Sequence, residues 1–394
     1  MKRFLYIILF FQIVVLHDFS NEAGQNIFML GVMGYCAILL PLRIKKIDAW
    51  DILPLLIFII MYCSQYIYPK GFRLSTVLYS AMFMIQCIVF RTCLNDKVDI
   101  NEYVKFIRIL VFLFFSVLLL QQVMELGNIR GFNRFGYFAE RWKMNSLAQE
   151  PSCLPPSMML LLLSYVKMQQ IQMGNKFNLK QMWKNDKLFW TAGLYTMIGC
   201  GTTTGIFITP VFGAYFFKKQ ILKKLPLIAL GLMGIFTFFS YVFPYVVVRF
   251  NNIFHAIWSI DPTLMYAADS SASARIAPYM FLIHEFDLFD FNFLFGHGVD
   301  YANHYFSLML VGQELGGEIG IGGLVNFLYD YGLIAFIIFI IYIKRICFHS
   351  FFSYEFIIWL LIYSVNPFNT SLLWASILFL GVNKYFEMRY KLNK

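Results

Sequence analysis

Four basic residues lie close together in one polar stretch of the sequence, residues 130–152: Arg130, Arg134, Arg141 and Lys143. The planar guanidinium of arginine binds pairs of phosphate oxygens, so this stretch can bind an anionic group such as a phosphate or pyrophosphate. The alternative is a solvated loop whose basic residues are balanced by Glu125, Glu140 and lipid headgroups.

Glu150 ends this stretch, immediately before Pro151 and Ser152. A proline at the first helical position, with an acidic residue beside it, is an ordinary signal for the start of a helix. A carboxylate at the edge of an apolar region can also act as a general base, because partial desolvation raises its pKa. Both interpretations are open for Glu150.

A second polar stretch covers about 250–319 and contains Ser273, Arg275 and the run from Phe295 to Gly298. It also carries four of the six histidines, which are His255, His284, His297 and His304. Histidine transfers protons near neutral pH, which makes His304 a candidate base, although a histidine can also simply bond to a loop carbonyl. No recognised ligand spacing joins these histidines to Asp287, Asp290 or Asp300, so we expect no metal and no cofactor.

Asp330 lies inside an apolar run further along the chain. A carboxylate within a membrane span is costly, and for that reason it is a candidate functional residue. Hydrogen bonds from neighbouring helices can equally give it a structural role.

The elements that must position these residues follow from composition. The 394 residues are 59% hydrophobic and 14% charged, with a mean hydropathy of +0.64, whereas soluble domains are about half apolar and a quarter charged. A soluble enzyme, a disordered tail and a disulfide scaffold are therefore excluded. Apolar runs predict twelve spans, at about 4–20, 27–42, 52–68, 75–90, 107–123, 151–167, 187–200, 205–217, 225–249, 320–343, 351–365 and 367–383.

The positions of lysine and arginine predict the orientation of these spans. Most of the 32 basic residues fall in alternate connecting segments, which the positive-inside rule places in the cytoplasm together with both termini. The prediction is an all-α, polytopic membrane protein forming a single domain over residues 1–394. Two large outer loops, about 124–150 and 250–319, are expected to form the active-site region. No segment suits nucleic acid or a nucleotide phosphate.

This arrangement resembles the bacterial O-antigen polymerases of the Wzy type, which share a superfamily with the O-antigen ligases. The resemblance covers the topology of the whole chain. Locally it depends on the basic stretch before Glu150, on Ser273 and Arg275, on the run from Phe295 to Gly298, and on His304. Acidic-glycine steps, at either Glu314-Leu315-Gly316 or Glu318-Ile319-Gly320, follow His304 into a helix.

The resemblance implies glycosyl transfer at the outer face of the bacterial inner membrane, between oligosaccharides carried on undecaprenyl pyrophosphate. It implies that Arg275, with Arg134 or Arg141, stabilises the pyrophosphate leaving group, and that His304 or Glu150 takes the proton of the attacking hydroxyl. Arg130, Lys143 and Asp330 are the further candidates for binding substrate. Besides the lipid-linked substrates, the implied partners are membrane lipids and a protein that regulates chain length.

Three other functions are compatible with the sequence. The nearest is a ligase that transfers finished glycan to a lipid A core, which sequence separates poorly from a polymerase. A flippase or transporter for the lipid-linked unit is less favoured, because such proteins tend to place charges within spans and to have repeated halves. A non-enzymatic assembly scaffold leaves the outer arginines unexplained.

Overall fold

A computed structural model describes residues 2–19, 27–64, 74–94, 98–129, 131–134, 142–174, 178–202, 204–205, 208–216, 244–287, 289–311 and 322–391. Within these ranges every regular element is a helix and no β-strand occurs, so the predicted all-α class is confirmed. The expected span at 225–249 lies largely outside them.

Many of the helices coincide with the predicted apolar runs, in the same order along the chain, and other helices lie between those runs. The helices are α1 (Lys2–Ile13), α2 (Ile27–Leu42), α3 (Ile52–Ser64), α4 (Leu74–Leu94), α5 (Ile100–Leu126), α6 (Leu154–Met173), α7 (Leu179–Asn185), α8 (Lys187–Gly199), α9 (Pro244–Ser259), α10 (Pro262–Ala268), α11 (Ser270–Glu285), α12 (Phe291–Phe295), α13 (Tyr301–Val311), α14 (Gly323–Cys347), α15 (Tyr354–Val365) and α16 (Ser371–Lys391). A further helical segment occupies 208–216.

Three helices of the described chain, α4, α5 and α14, are long and apolar enough to cross a membrane. Helices α2, α3 and α15 are apolar but shorter. Crossing the hydrocarbon core takes about 20 residues when the helix is straight. These helices indicate a membrane protein, and the total of twelve spans stays a prediction.

Large apolar side chains also cover the outside of the helices. Ile38 and Leu42 on α2 are 68% and 77% exposed, and Val123 and Leu126 on α5 are 64% and 71% exposed. Contiguous apolar surface of this kind is a liability in water but is ordinary where lipid is the solvent. The exposed faces therefore agree with the indication given by helix length.

Helices α6 and α16 form the centre of the bundle. Their apolar residues are buried on every side, from Leu154 to Val166 in α6 and from Leu372 to Val382 in α16. A helix that is apolar all round is stable only when other helices surround it. Helix α16 packs against α1, α4, α6, α14 and α15, and α5 and α8 pack against α6.

The ends of the helices sort into two groups. At the first, which we call the Glu150 end, Gln122 on α5 donates to Gly199 O at the end of α8 (2.9 Å), and Gln12 on α1 donates to Ser371 O at the start of α16 (2.9 Å). Every helix end in this group lies at a position that the sequence predicts to be outside.

At the other group, the Lys167 end, charged residues join the helices. Arg108 on α5 pairs with Asp186 before α8 (2.6 Å), and Arg91 on α4 pairs with Asp51 before α3. Lys384 on α16 donates to Lys344 O at the end of α14 (3.0 Å). These are ends that the sequence predicts to be inside.

One expected boundary is wrong, and the stretch predicted as a large outer loop contains helices. Helix α1 ends at Ile13 and not near residue 20, because Val15 leaves the helix to donate to Leu147 O (2.8 Å). The expected outer loop at about 250–319 is mostly helical where it is described, as α9 to α13. Its short helices lack the long apolar runs on which the sequence analysis depended.

Candidate functional site

Glu150 lies at the start of a short 3₁₀ helix, Pro151–Cys153, that leads directly into α6. Its backbone is extended (φ −142°, ψ 161°), and its half-buried carboxylate accepts a hydrogen bond from the Ser152 hydroxyl (3.3 Å). The start of a helix carries partial positive charge, which favours a carboxylate there. The sequence therefore predicts the helix start correctly, and the carboxylate lies at the end of the bundle where α6 begins.

A buried polar network fixes the segment before Glu150. Ser146 N donates to Gln121 Oε1 (2.9 Å), and Asn133 Nδ2 donates to Ser146 O (2.8 Å) and to Val15 O (2.9 Å). Asn145 Nδ2 donates to Ala148 O (3.0 Å). Buried backbone without regular structure needs such partners, and once satisfied they make it rigid. Residues 144–148 are therefore packed into the protein and do not form part of a solvated loop, whereas Lys143 before them is exposed.

Arg275 approaches Glu150 from a distant part of the chain. It lies half-buried near the start of α11, and the Cys153 thiol is within electrostatic range of both the Glu150 carboxylate and the Arg275 guanidinium. Cys153 Sγ also lies 3.7 Å from Asn366 Oδ1 at the end of α15. A candidate acid–base group and a candidate anion-binding group therefore lie at one place where α6, α11 and α15 meet.

Helix α11 lies close to the start of α14 and to the end of α15. A Cβ on Gly322, which precedes α14, would lie 3.5 Å from Arg275 O, and the Tyr279 hydroxyl donates to Ser364 O (3.5 Å). These contacts hold Arg275 between the start of α14 and the end of α15.

His17 is a neighbour of Glu150 that the sequence analysis missed. Its Nε2 lies 3.3 Å from Ala148 O, its backbone N donates to Asn133 Oδ1 (2.5 Å), and its imidazole interacts electrostatically with Glu150. The sequence signal was a polar pair, His17 and Asp18, at the end of the first apolar run.

Arg134 occupies a different environment from the one expected for a substrate-binding residue. It is 3% exposed and forms a buried ion pair with Glu125 at the end of α5. This contact holds the guanidinium inside the protein, and a role of Arg134 in substrate binding stays a prediction. Lys143 is exposed at the same end of the bundle, whereas Arg130 and Arg141 lie outside the described residues.

Asp330 is also held internally. It is 3% exposed, and its carboxylate accepts hydrogen bonds from Ala302 N (2.8 Å) and Asp300 N (3.2 Å) at the start of α13. Its backbone O accepts from Gly298 N (2.9 Å). Asp330 therefore caps another helix, which is a structural role, and its role in binding substrate stays a prediction.

His304 lies on the helix that Asp330 caps. It is half-buried, its backbone N donates to Asp300 O (3.3 Å), and the preceding Asn303 accepts a hydrogen bond from Asn326 on α14 (3.3 Å). Helix α13 packs on α14. The acidic-glycine steps after His304, at Glu314 or Glu318, lie outside the described residues.

The segment from Phe295 to Gly298 crosses α14 at a break in that helix. Gly296 (φ +85°) passes so close that a Cβ there would overlap Asp330 O, and Gly332 (φ +81°) interrupts α14 on the other side of the crossing. His297 N donates to Tyr329 O (2.9 Å), and its Nδ1 lies 3.1 Å from the same oxygen. Burial lowers the pKa of the His297 imidazole below its ordinary value.

The site combines a carboxylate, a guanidinium and several polar neighbours at one end of an apolar bundle. Such a set can accept a proton and stabilise developing negative charge. Among the described residues, no group of three histidine, cysteine or acidic side chains could hold a metal ion. No protein-family model, curated protein or solved structure matches this chain.

Proposed function

We propose that this protein is a membrane glycosyltransferase of the O-antigen polymerase type, which joins lipid-linked oligosaccharide repeat units. The observation that carries the proposal is that the segments bearing Glu150 and Arg275 both lie at the end of α15. Cys153, which follows Glu150, has its Sγ 3.7 Å from Asn366 Oδ1, and a Cβ on Gly322 would overlap Ser364 O and lie 3.5 Å from Arg275 O. A hydroxyl must lose a proton and a pyrophosphate must gain charge in this reaction, and these two residue types serve those two needs.

In the proposed reaction, a hydroxyl of the acceptor sugar attacks the anomeric carbon of a glycan carried on undecaprenyl pyrophosphate. The new bond joins that carbon to the acceptor oxygen, and the bond between the carbon and the pyrophosphate oxygen breaks. Glu150 or His304 takes the proton, and Arg275 binds the departing pyrophosphate. The leaving group already stores the activation, so no nucleotide enters the reaction.

The proposal places the Glu150 end at the outer face of the bacterial inner membrane, with both termini in the cytoplasm. Arg130, Arg141 and Lys143 are proposed to bind the pyrophosphate with Arg275. Lys143 is exposed at the Glu150 end, which is the position that this role requires. A protein that regulates chain length is a proposed partner.

Deleting the gene and separating surface lipopolysaccharide on a gel tests the proposal against its nearest alternatives. Loss of a polymerase leaves core that carries one repeat unit, because export and ligation continue. Bare core with accumulated long lipid-linked glycan indicates a ligase, and bare core with single units trapped inside indicates a flippase. An unchanged ladder contradicts all three functions.

Two substitutions test the site in the complemented deletion strain. Arg275→Ala and Glu150→Gln should each reduce chain growth by a factor on the order of 10² to 10⁴, with normal amounts of protein in the membrane. The matched controls are Arg345→Ala and Glu102→Gln, which change exposed residues at the Lys167 end. If both site variants extend chains as the controls do, the proposed roles of Arg275 and Glu150 are wrong.

A further inference from the structure

Four near-parallel rings lie beside the crossing of the Phe295–Gly298 segment and α14. His297 stacks on Tyr301 (centroids 4.1 Å apart, planes 6° apart), and Tyr301 stacks on Tyr305 (5.7 Å, 9°). Tyr329 closes the set against Tyr305 (5.9 Å, 21°) and against His297 (6.1 Å, 18°). We call these four rings the tyrosine block.

An exposed carboxylate is fixed at the edge of the tyrosine block. Glu285, at the end of α11, accepts hydrogen bonds from the hydroxyls of Tyr305 and of Tyr329, the latter at 2.6 Å. A carboxylate has about four acceptor positions, so two tyrosine donors orient it and leave capacity for further donors. Its exposure places that capacity at the surface.

The block is also rigid and partly accessible. The backbone of Gly296 is held against α14, and Asp330 caps the helix that carries Tyr301 and Tyr305. His297, Tyr301 and Tyr305 are half-buried, so part of each ring faces outward. A surface that is ordered before binding loses little conformational entropy when it binds.

We propose that the tyrosine block with Glu285 is a subsite for the oligosaccharide of the lipid-linked substrate. Apolar C–H faces of sugar rings pack on aromatic faces, and sugar hydroxyls donate to a fixed carboxylate. A site for a quaternary ammonium group would enclose the cation with rings at different angles, whereas these rings are nearly parallel. The parallel arrangement therefore favours a sugar ring over a cation.

The position of the block along α11 indicates a ligand of several sugar rings. Arg275 lies near the start of this helix and Glu285 lies at its end. Ten residues of helix rise about 15 Å, so one molecule that contacts both must be extended. The inference rests on the proposed function, in which Arg275 binds the pyrophosphate and the attached glycan continues from it.

Binding of glycans without lipid or pyrophosphate tests the subsite separately from the reaction. The full chain in lipid nanodiscs is applied to an array of immobilised, lipid-free bacterial O-antigen oligosaccharides. Wild-type protein should bind a subset of them, and Glu285→Gln and Tyr301→Leu should each weaken that binding about tenfold. Phe352→Leu, which changes a phenylalanine that is 96% exposed at the Lys167 end, is the matched control and should bind normally.

Tyr305→Phe keeps its ring and removes one hydrogen bond to Glu285, so it tests the carboxylate even if Tyr301→Leu fails to fold. Normal array binding by folded Glu285→Gln and Tyr305→Phe contradicts the subsite. Wild-type protein that binds no glycan also contradicts it, as does displacement of bound wild-type protein from the array by free choline. Because these glycans carry no pyrophosphate, the array tests the subsite and does not test the proposed role of Arg275. If the array contradicts the subsite, the chain-growth results on Arg275 still test the proposed function. If those results contradict the proposed function, the array still tests the subsite.

Discussion

Arg134 and Asp330 are candidate functional residues by sequence, as Arg275 and Glu150 are, but both have partners inside the protein. Arg134 pairs with Glu125, and Asp330 caps α13. A charged residue is energetically costly in an apolar chain, and for that reason the sequence makes both residues candidates for a function. It does not show the partner, because the partner of Asp330 is about 30 residues away and meets it only when the chain folds. Arg275 and Glu150 differ in that each stays half-buried at a common place.

Substitutions in the Arg134–Glu125 pair distinguish a structural role of Arg134 from a role in substrate binding. Arg134→Met should lower the free energy of unfolding by about 3–5 kcal/mol, because it leaves the Glu125 carboxylate buried without its cation. Adding Glu125→Leu should restore most of that stability, and the double variant should extend chains. Thermal unfolding in detergent and the lipopolysaccharide ladder measure the two effects. A stable double variant that makes no chains would indicate that Arg134 binds substrate.

His297 makes part of the stability depend on pH. Burial lowers its pKa from the ordinary 6.5, so the folded protein favours the neutral imidazole more than the unfolded chain does. The stability that this contributes is present above about pH 6.5 and is lost as the pH falls through the lowered pKa. The thermal midpoint should therefore fall on acidification, and less so in His297→Gln. His255→Gln, which changes an exposed histidine, should behave as wild type, and a His297→Gln variant with the wild-type pH dependence contradicts the assignment.

At the scale of elements, the break in α14 positions both the Phe295–Gly298 segment and α13. Gly332 has φ +81°, and a Cβ there would overlap Leu294 O. Gly332→Ala should therefore destabilise the protein by about 1–3 kcal/mol or more. Gly31→Ala is the control, because its Cβ meets nothing within 4 Å inside α2 and an added methyl should be neutral or stabilising. Thermal unfolding of the two variants checks this, and equal midpoints would show that the crossing is not rigid.

The long helices α2 to α6 and α14 to α16 coincide with apolar runs, since burial in lipid or protein requires such runs. What the sequence could not show is where the chain stops being helical for a tertiary reason. Helix α1 ends early because Val15 pairs with Leu147, and residues 144–148 are buried with Gln121 and Asn133 bonded to the backbone of Ser146. Asparagine, glutamine and serine are common in exposed loops, so their composition gave no signal of burial. Glu285 was missed for a related reason, because its two tyrosines come from separate helices.

At the scale of the whole molecule, the contacts between helix ends are compatible with the predicted topology. Gln122 bonding to Gly199 joins two helix ends that the distribution of lysine and arginine predicts to be outside, and Arg108 pairing with Asp186 joins two that it predicts to be inside. Which group of ends faces the cytoplasm stays a prediction. Glu150 and Arg275 lie at the Glu150 end, so the proposed function requires this end to face the side of the membrane that holds the glycan.

The orientation of the Glu150 end in the membrane can be measured with fusion proteins. Alkaline phosphatase needs disulfides and is active only outside the cytoplasm, so it reports where a truncated chain ends. Fusions after Glu285 and after Val365, at the Glu150 end, should be active, and fusions after Met173 and after Cys347, at the Lys167 end, should be inactive. Green fluorescent protein fused at the same four positions should give the opposite pattern and is the control for expression. A fully reversed pattern would place the Glu150 end in the cytoplasm, where no periplasmic glycan is available, and would contradict the proposed function. Activity at positions from both ends would contradict the sorting of the helix ends itself.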